Sequence, residues 1–295
     1  MSSVVIVTGA SGFIGSHVRR ELSRLGRDVL LIMHNTKIQS VAANERVIVW
    51  DGDPASVRSE VGDEGVDGLL HLATQFVAEH SFAQIPSMME AIITFGTEMA
   101  DLASDLSAKW FLNVGTVWQH RGGQPDEPAN LYAAAKNGFE QILHFYENSR
   151  KLSIGHLYIG DTYGPQDPRK KLLNLWRDAA SAGIVVEMTP GFQRLALLHV
   201  DDVVAAITTM VKGLETEDPR FVGSRLTAQG EVLVTVRELA DIFREEVNSD
   251  LDLRWGAKPY RSEGLMTPVV LHPRVPNWGP KRSLRAGIRD AFAAL

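Results

Sequence analysis

Apolar residues follow two alternating rhythms along this chain. Val4-Val5-Ile6-Val7 is a continuous apolar run, as expected of a strand covered on both faces. Ile14, Val18, Leu22 and Leu25 then recur every three or four positions before Gly26, which predicts a helix over Phe13–Leu25. Val29–Met33, Val47–Trp50, Val66–Leu72, Trp110–Val114 and Ile154–Tyr158 read as further strands. Between them, Met88, Ile92, Phe95, Met99, Leu102 and Leu106 predict a long helix, with a second apolar line through Met89, Ile93, Ala100 and Ala103. Tyr132–Tyr146 predicts another. Strands alternating with helices imply an α/β fold built on a doubly wound parallel sheet. The wide apolar surface of the long helix is expected either beneath the sheet or at a subunit contact, shared with Ala135, Phe139, Ile142 and Tyr146, that would make a homodimer.

Beyond Tyr158 the rhythm loosens. Gly160–Pro165 reads as a turn-rich loop, Lys171–Ala182, Val236–Glu246 and Leu284–Phe292 as helices, and Pro259–Pro280 as a Pro/Gly-rich tract. The expected division is a dinucleotide-binding domain over 1–155, with return segments from the C-terminal half, and a smaller, mainly substrate-binding domain over 156–295.

Composition narrows the partners. Thirty-six acidic against 30 basic residues give a net charge of -6, which lacks the basic footprint of a nucleic-acid binder. Cysteine is absent, excluding disulfides and thiolate chemistry. No apolar run has bilayer length and no signal-peptide pattern precedes the first strand, so a cytoplasmic protein without membrane contact is expected.

The first candidate chemistry follows the first strand, in Thr8-Gly9-Ala10-Ser11-Gly12-Phe13-Ile14-Gly15. Glycines at this spacing permit a tight turn, a close backbone approach to a pyrophosphate and helix-on-strand packing. The helix amides then face the phosphates. The second candidate is Tyr132-Ala133-Ala134-Ala135-Lys136, a phenol and an ammonium on one helix face. A nearby ammonium favours phenolate, which would let Tyr132 exchange a proton with an alcohol or sugar oxygen. No His/Asp/Glu grouping has metal-site spacing, so no metal is expected.

Together with His71-Leu72-Ala73, Tyr163-Gly164-Pro165, His199-Val200-Asp201-Asp202-Val203 and Thr235-Val236-Arg237-Glu238-Leu239-Ala240, these motifs resemble the extended short-chain dehydrogenase/reductases of the nucleotide-sugar epimerase/dehydratase type. The resemblance covers nearly the whole chain. It implies a Rossmann-type fold, a nucleotide-diphosphate sugar as substrate, Tyr132 as acid/base, and Lys136 on the nicotinamide ribose. It also implies a Ser or Thr at the substrate oxygen, placed before a Val-Tyr-Gly that matches Val117-Trp118-Gln119 here. Thr116 is the hydroxyl available, with Asn113 in reserve. The family's dehydratases carry Thr-Asp-Glu in this segment, its decarboxylases a Glu before the Val, and its 3,5-epimerase/4-reductases a Cys/His pair. Val114-Gly115-Thr116 and the absence of cysteine leave a 4-ketoreductase or a 4-epimerase.

The wording around Gly115–His120, Asn130–Tyr132 and Asp161–Lys170 is similar to CDP-abequose synthase-like enzymes, NADPH-dependent reductases of a 4-keto-deoxyhexose. The leading expectation is therefore such a reductase, with an NAD-dependent 4-epimerase as the alternative. A non-enzymatic NAD(P) sensor is opposed by the intact Tyr132 and Lys136. The second strand ends without the carboxylate of an NAD site, and His34, Asn35 and Lys37 stand nearby. This favours NADPH, with NAD second. The remaining cofactor contacts implied are Gly9, Ser11, Gly12, Phe13, Ile14, Gly15, Asp51, Gly52, Leu72 and Ala73. On the substrate side the resemblance suggests His80, Ser81, Asn130, Asp161, Arg169, Arg194 and Arg261. For Arg169, Lys170 and Lys171 a solvated basic patch stands as an equal alternative, and His120 and His199 read as structural.

Overall fold

The side chains of β1 (Ser3–Thr8) divide the molecule into its layers. Val5 and Val7 point into one apolar core and Val4 and Ile6 into another, all without solvent exposure. Such two-sided burial is the reason the sequence is apolar without alternation. The structure is a computed structural model and describes residues 3–34, 38, 41–125, 127–261 and 264–292.

With β1 lie β2 (Asp28–Met33), β3 (Glu45–Val49), β4 (Gly65–His71), β5 (Trp110–Thr116), β6 (Ile154–Ile159) and the strand Arg225–Ala228, in one seven-stranded sheet. Its order is β3-β2-β1-β4-β5-β6 followed by Arg225–Ala228, and each neighbour pair is parallel. The chain leaves β1 toward β2 on one side, and β4 returns on the other. The crevice at the C-terminal ends of β1 and β4 is therefore the topological switch point, where doubly wound sheets bind ligands.

One face is covered by α1 (Phe13–Arg24), through Val18 and Leu22, and by a helix from the far half of the chain, Val200–Glu215, through Val203, Ile207 and Met210. On the other lies α2 (Pro54–Val61), started by Asp53, whose side chain accepts a hydrogen bond from the Ala55 amide at 2.9 Å. The long helix predicted over Met88–Leu106 is instead three segments: α3 (Ile85–Met89), a π-turn at Glu90–Thr94, and α4 (Phe95–Asp105). A π-turn shifts the stripe by one residue, and a spacing of three or four residues does not reveal it. Its stripe residues Met88, Ile92, Phe95, Met99 and Leu102 are buried in the core beneath the sheet.

They meet α5 (Leu131–Arg150), where Gly96 leaves the space that Phe139 fills: a Cβ on Gly96 would lie 2.7 Å from the Phe139 ring. Ala135, Phe139 and Tyr146 also face this core. Most of the apolar surface considered for a subunit contact is thus internal.

A third core joins α6 (Leu172–Ala182), α8 (Val236–Val247) and α9 (Leu284–Phe292), with Val200–Glu215 as α7, around Trp176, Leu239, Phe243 and Ile288. This is the smaller C-terminal domain. The Pro/Gly-rich tract returns from it to the sheet edge. The Thr227 amide donates to the Pro273 carbonyl at 2.8 Å, and the Trp278 indole donates to the Asp202 carbonyl at 3.0 Å. Among the described residues, no helix is long and apolar enough to cross a membrane.

Candidate active site

The turn after β1 has no room for side chains at Gly9 or Gly15. Gly9 has φ +70°, and a Cβ there would sit 2.6 Å from the Ala73 amide nitrogen. At Gly15 a Cβ would lie 2.1 Å from the Gly9 carbonyl oxygen, itself the acceptor of the Gly12 amide at 3.0 Å. Gly12 is the N-cap of α1 and brings no capping side chain. The first-turn amides are therefore left for a ligand's oxygens. Gly9, Ser11, Gly12, Phe13, Ile14 and Gly15 form one end of a cavity of about 880 Å³, joined by His34 from the end of β2 and by Leu72 and Ala73 after β4.

Thr116, Tyr132 and Lys136 line the same cavity. Asn130 starts α5, its side chain accepting from the Ala133 amide at 2.9 Å. One turn of helix then stacks the phenol and the ammonium on a single face, both buried. Burial drives the Tyr132 phenol above its ordinary value; a hydrogen bond with Thr74 and the charge of Arg169 work against it. Lys136 is not among the groups that shift the phenol here. Lys136 donates from Nζ to the Val114 carbonyl at 3.0 Å, and burial lowers its pKa to about 8 against the pull of Glu140.

Thr116 ends β5 with its hydroxyl oxygen accepting from the Trp118 amide at 3.3 Å. Asn113, the reserve, is fully buried beside His156, 3.3 Å away, and is not part of the cavity lining. Asp161 and Arg169 do line it, as do Lys170 and Lys171. The Arg169 guanidinium stacks over Phe13 at 4.5 Å and is held by Asp167 at 2.7 Å and the Thr162 carbonyl at 2.9 Å.

Other expected contacts are not brought to this cavity. Asp51 and Gly52 are exposed outside it, and Asp51 is spent on the turn, accepting from the Asp53 amide at 2.9 Å and the Ser56 hydroxyl at 2.7 Å. His80 and Ser81 are exposed, Ser81 capping a short helix with Gln84. Asn130 is occupied as the α5 cap. Arg194 is exposed, and Arg261 pairs with Glu79 at 2.9 Å, also outside the lining. For Asp51, Ser81 and Asn130, local turn and cap chemistry claims the side chain instead. Asn35 and Lys37 lie outside the described residues.

The cavity also includes Thr74, Gln75, Phe76, Glu90 and Trp118, which the sequence reading missed. Thr74-Gln75-Phe76 directly continues the His71-Leu72-Ala73 landmark, so position alone would have found them. Phe76 packs edge-on against Tyr132, with centroids 5.1 Å apart, and against Trp118 at 6.3 Å.

Residues 5–222 match the NAD dependent epimerase/dehydratase family. The chain belongs to that family. It is accordingly an NAD(P)-dependent enzyme. Along its whole length it is similar to CDP-abequose synthase of Salmonella typhimurium, with 29% identity over 303 residues covering 100% of this chain and 99% of the relative.

Two solved structures share its fold. UDP-glucose 4-epimerase from Thermus thermophilus in complex with NAD superposes with a TM-score of 0.82 at 20% identity, covering 98% and 97% of the two chains. dTDP-glucose 4,6-dehydratase from Streptomyces venezuelae with NAD bound superposes with a TM-score of 0.83 at 20% identity, covering 98% and 95%. These complexes overturn the preference for NADPH, since the same fold holds NAD in both. The preference rested on a missing carboxylate and on three donors. Two of those lie outside the described residues, and the third, His34, packs its ring edge-on against Phe95 at 5.9 Å.

Proposed function

We propose that this enzyme is an NAD-dependent 4-epimerase of a nucleotide-activated sugar. The observation that carries the reading is that Thr116, Tyr132 and Lys136 share one cavity with the glycine turn, while Val114-Gly115-Thr116 offers no carboxylate to eliminate water. The cradle fits a dinucleotide, because side chains at Gly9 and Gly15 would collide with backbone. Gly9, Gly12 and Gly15 would hold the pyrophosphate, and Lys136 the nicotinamide ribose. When bound, NAD supplies a reversible hydride acceptor for C4 of the sugar.

The chain's own residues handle the proton. As phenolate, Tyr132 Oη would take it from the C4 hydroxyl, and the phenol so formed would give it back after the keto sugar has turned. Thr116 Oγ1 orients the oxygen, and Arg169, Lys170 and Lys171 offer positive charge to the substrate diphosphate. The apolar residues left on the outer side of α3–α5, among them Met89, Ile93, Ile142 and Phe145, would form a homodimer contact.

Reduction of a 4-keto sugar is the second reading, favoured by the full-length match to CDP-abequose synthase. Incubating UDP-, CDP- and dTDP-hexoses with the purified protein, without added cofactor, separates the two. The 4-epimer, detected by NMR, with NAD(H) released on denaturation, is the expected result. No product until a 4-keto sugar and reduced cofactor are supplied, with stoichiometric cofactor oxidation, would replace epimerase by reductase.

A further inference from the structure

β2 runs out into Met33-His34-Asn35-Thr36-Lys37, without the carboxylate on which a doubly wound NAD site ordinarily seats the adenosine ribose. Ile32, Met33 and His34 line the cavity at this point. Asp51, the next acidic residue along the chain, is spent on its own turn outside the cavity.

Among the described residues, two acidic side chains do line the cavity, Asp161 and Glu90. They differ in occupation. Asp161, beyond β6, stands 3.5 Å from Lys171 Nζ. Glu90 is exposed, and its side chain has no hydrogen-bond or ion-pair partner among the described residues.

Glu90 opens the π-turn between α3 and α4, and that turn decides where it stands. The Phe95 amide donates to the Glu90 carbonyl, the i→i+5 bond of a π-turn. Residues five apart in an α-helix lie on different faces. The wider turn sets Glu90 and Phe95 on one face instead, and Ala91 beside them lines the cavity too. Phe95 marks which end of the cavity this is. Its ring meets His34 edge-on with centroids 5.9 Å apart, and stands 6.1 Å from the His71 ring at the end of β4. Thr116 lies away from this end, since β1 and β4 separate β2 from β5 in the sheet.

We propose that Glu90 replaces the missing strand-end carboxylate, accepting from the adenosine ribose hydroxyls of NAD and repelling the 2′-phosphate of NADP. A carboxylate bonds a ribose diol through charge-assisted hydrogen bonds, which are stronger than neutral ones. The same charge opposes a phosphate placed on that ribose. The amides of the glycine turn meet a pyrophosphate common to both dinucleotides, so they cannot make this distinction.

Calorimetric titration of the full-length protein with NAD and with NADP, in the absence of sugar, reads the preference. The wild-type protein is expected to bind NAD at least tenfold more tightly. Glu90→Gln keeps the side-chain length and removes the charge, and is expected to narrow that ratio about tenfold. Because Glu90 is exposed and unpartnered, the variant should melt at the parental temperature. Adenosine 5′-phosphate and adenosine 2′,5′-bisphosphate carry the same contrast without nicotinamide. Their affinity ratio should move in Glu90→Gln as the dinucleotide ratio does, which places the effect at the adenosine end. A wild-type preference for NADP, an unchanged ratio in Glu90→Gln, or a change seen with the dinucleotides but not with the adenosine phosphates overturns the assignment.

The inference rests on the proposed function only in taking this cavity as the dinucleotide site. NAD bound at the expected ratio with no epimer formed removes the epimerase and leaves Glu90 in its role. Epimer formed with the ratio unmoved by Glu90→Gln does the reverse, and binding of neither dinucleotide overturns both.

Discussion

Lys136 donates a hydrogen bond from Nζ to the Val114 carbonyl at 3.0 Å, with its side chain only 2% exposed. The bond ties α5 to the last turn of β5, so the helix that presents Tyr132 is fixed to the strand that presents Thr116. An ammonium has three donors, and Lys136 also lines the cavity. The same group braces the scaffold and faces the cavity. Thr74 and Arg169 are the groups that act on the phenol directly.

Tyr132→Phe keeps the ring that packs on Phe76 and removes only the hydroxyl. Turnover is expected to fall about 100-fold or more, with NAD affinity little changed in fluorescence titration. Lys136→Met removes a brace and the proposed ribose donor together, so both turnover and NAD affinity should drop. Full activity in Tyr132→Phe would remove the phenol from the mechanism.

Thr116 and Asn113 are separated by where the strand points them. Thr116→Ala removes a hydroxyl at the cavity wall, and single-turnover hydride transfer should slow by about 10-fold to 100-fold, the range for one lost hydrogen bond. Asn113→Ala disturbs a buried contact with His156. It should lower the melting temperature while leaving the rate per folded molecule near that of the parent. The opposite pattern would assign the substrate oxygen to Asn113.

The layers of the fold were legible because each rests on a local rule. The apolar run of β1 and the spacing of Val18 and Leu22 mark their elements without tertiary information. The glycine turn was legible in its spacing, and Gly15 answers to backbone crowding within the motif, whereas Gly9 is crowded by Ala73 from the segment after β4. What escaped depends on three-dimensional context. The π-turn at Glu90–Thr94 breaks no periodicity rule. Asp51, Ser81 and Asn130 were expected at ligands, but each has a local amide or cap partner that takes the side chain. Gln119 read as a departure from a motif, and only its contacts with Thr116 and Glu140 give it a use.

Subunit association is a prediction the core burial makes narrower. Phe145 is 53% exposed, and Ile93 and Ile142 are only partly covered. The protein is expected to be a dimer in light scattering, and Phe145→Glu should shift it toward monomer without unfolding it. A wild-type mass of one chain at every dilution would exclude the contact.

His71 predicts how acid unfolds the protein. Its ring lies between Phe95, Phe111 and Phe139, with Nδ1 3.0 Å from Thr8 Oγ1. Burial, reinforced by the Lys136 charge, lowers its pKa to about 3. In the unfolded chain a histidine titrates near its ordinary value of ~6.5. Between these values the unfolded state binds the extra proton, so stability is present above ~6.5 and is lost as pH falls toward 3. The His71 contribution to the slope is about 1.4 kcal/mol per pH unit. In urea unfolding at a series of pH values, His71→Gln should be less stable at neutral pH but lose about one proton from the acid slope. An unchanged slope would mean the ring is not held neutral.

The glycine turn makes the sharpest prediction, because two glycines of the same helix separate crowding from backbone freedom. Gly26 follows the C-terminus of α1 at φ +75°, with nothing within 4 Å of an added Cβ. Gly26→Ala therefore meets only the cost of a left-handed conformation, about 1 kcal/mol, and NAD affinity should be retained. Gly15 is the reverse case: its φ is not in the left-handed region, but an added Cβ would sit 2.1 Å from the Gly9 carbonyl oxygen and 2.9 Å from Ala10 Cα. Both are backbone atoms, so neither can swing aside as a side chain would. Gly15→Ala must push α1 away from the end of β1, and the amides at Gly12 and Phe13 move with it. Calorimetric titration with NAD should show at least a tenfold loss of affinity for Gly15→Ala at a temperature where both variants are folded. Parental affinity in Gly15→Ala would show that the turn relaxes without moving those amides, and the cradle would then not be what holds the pyrophosphate.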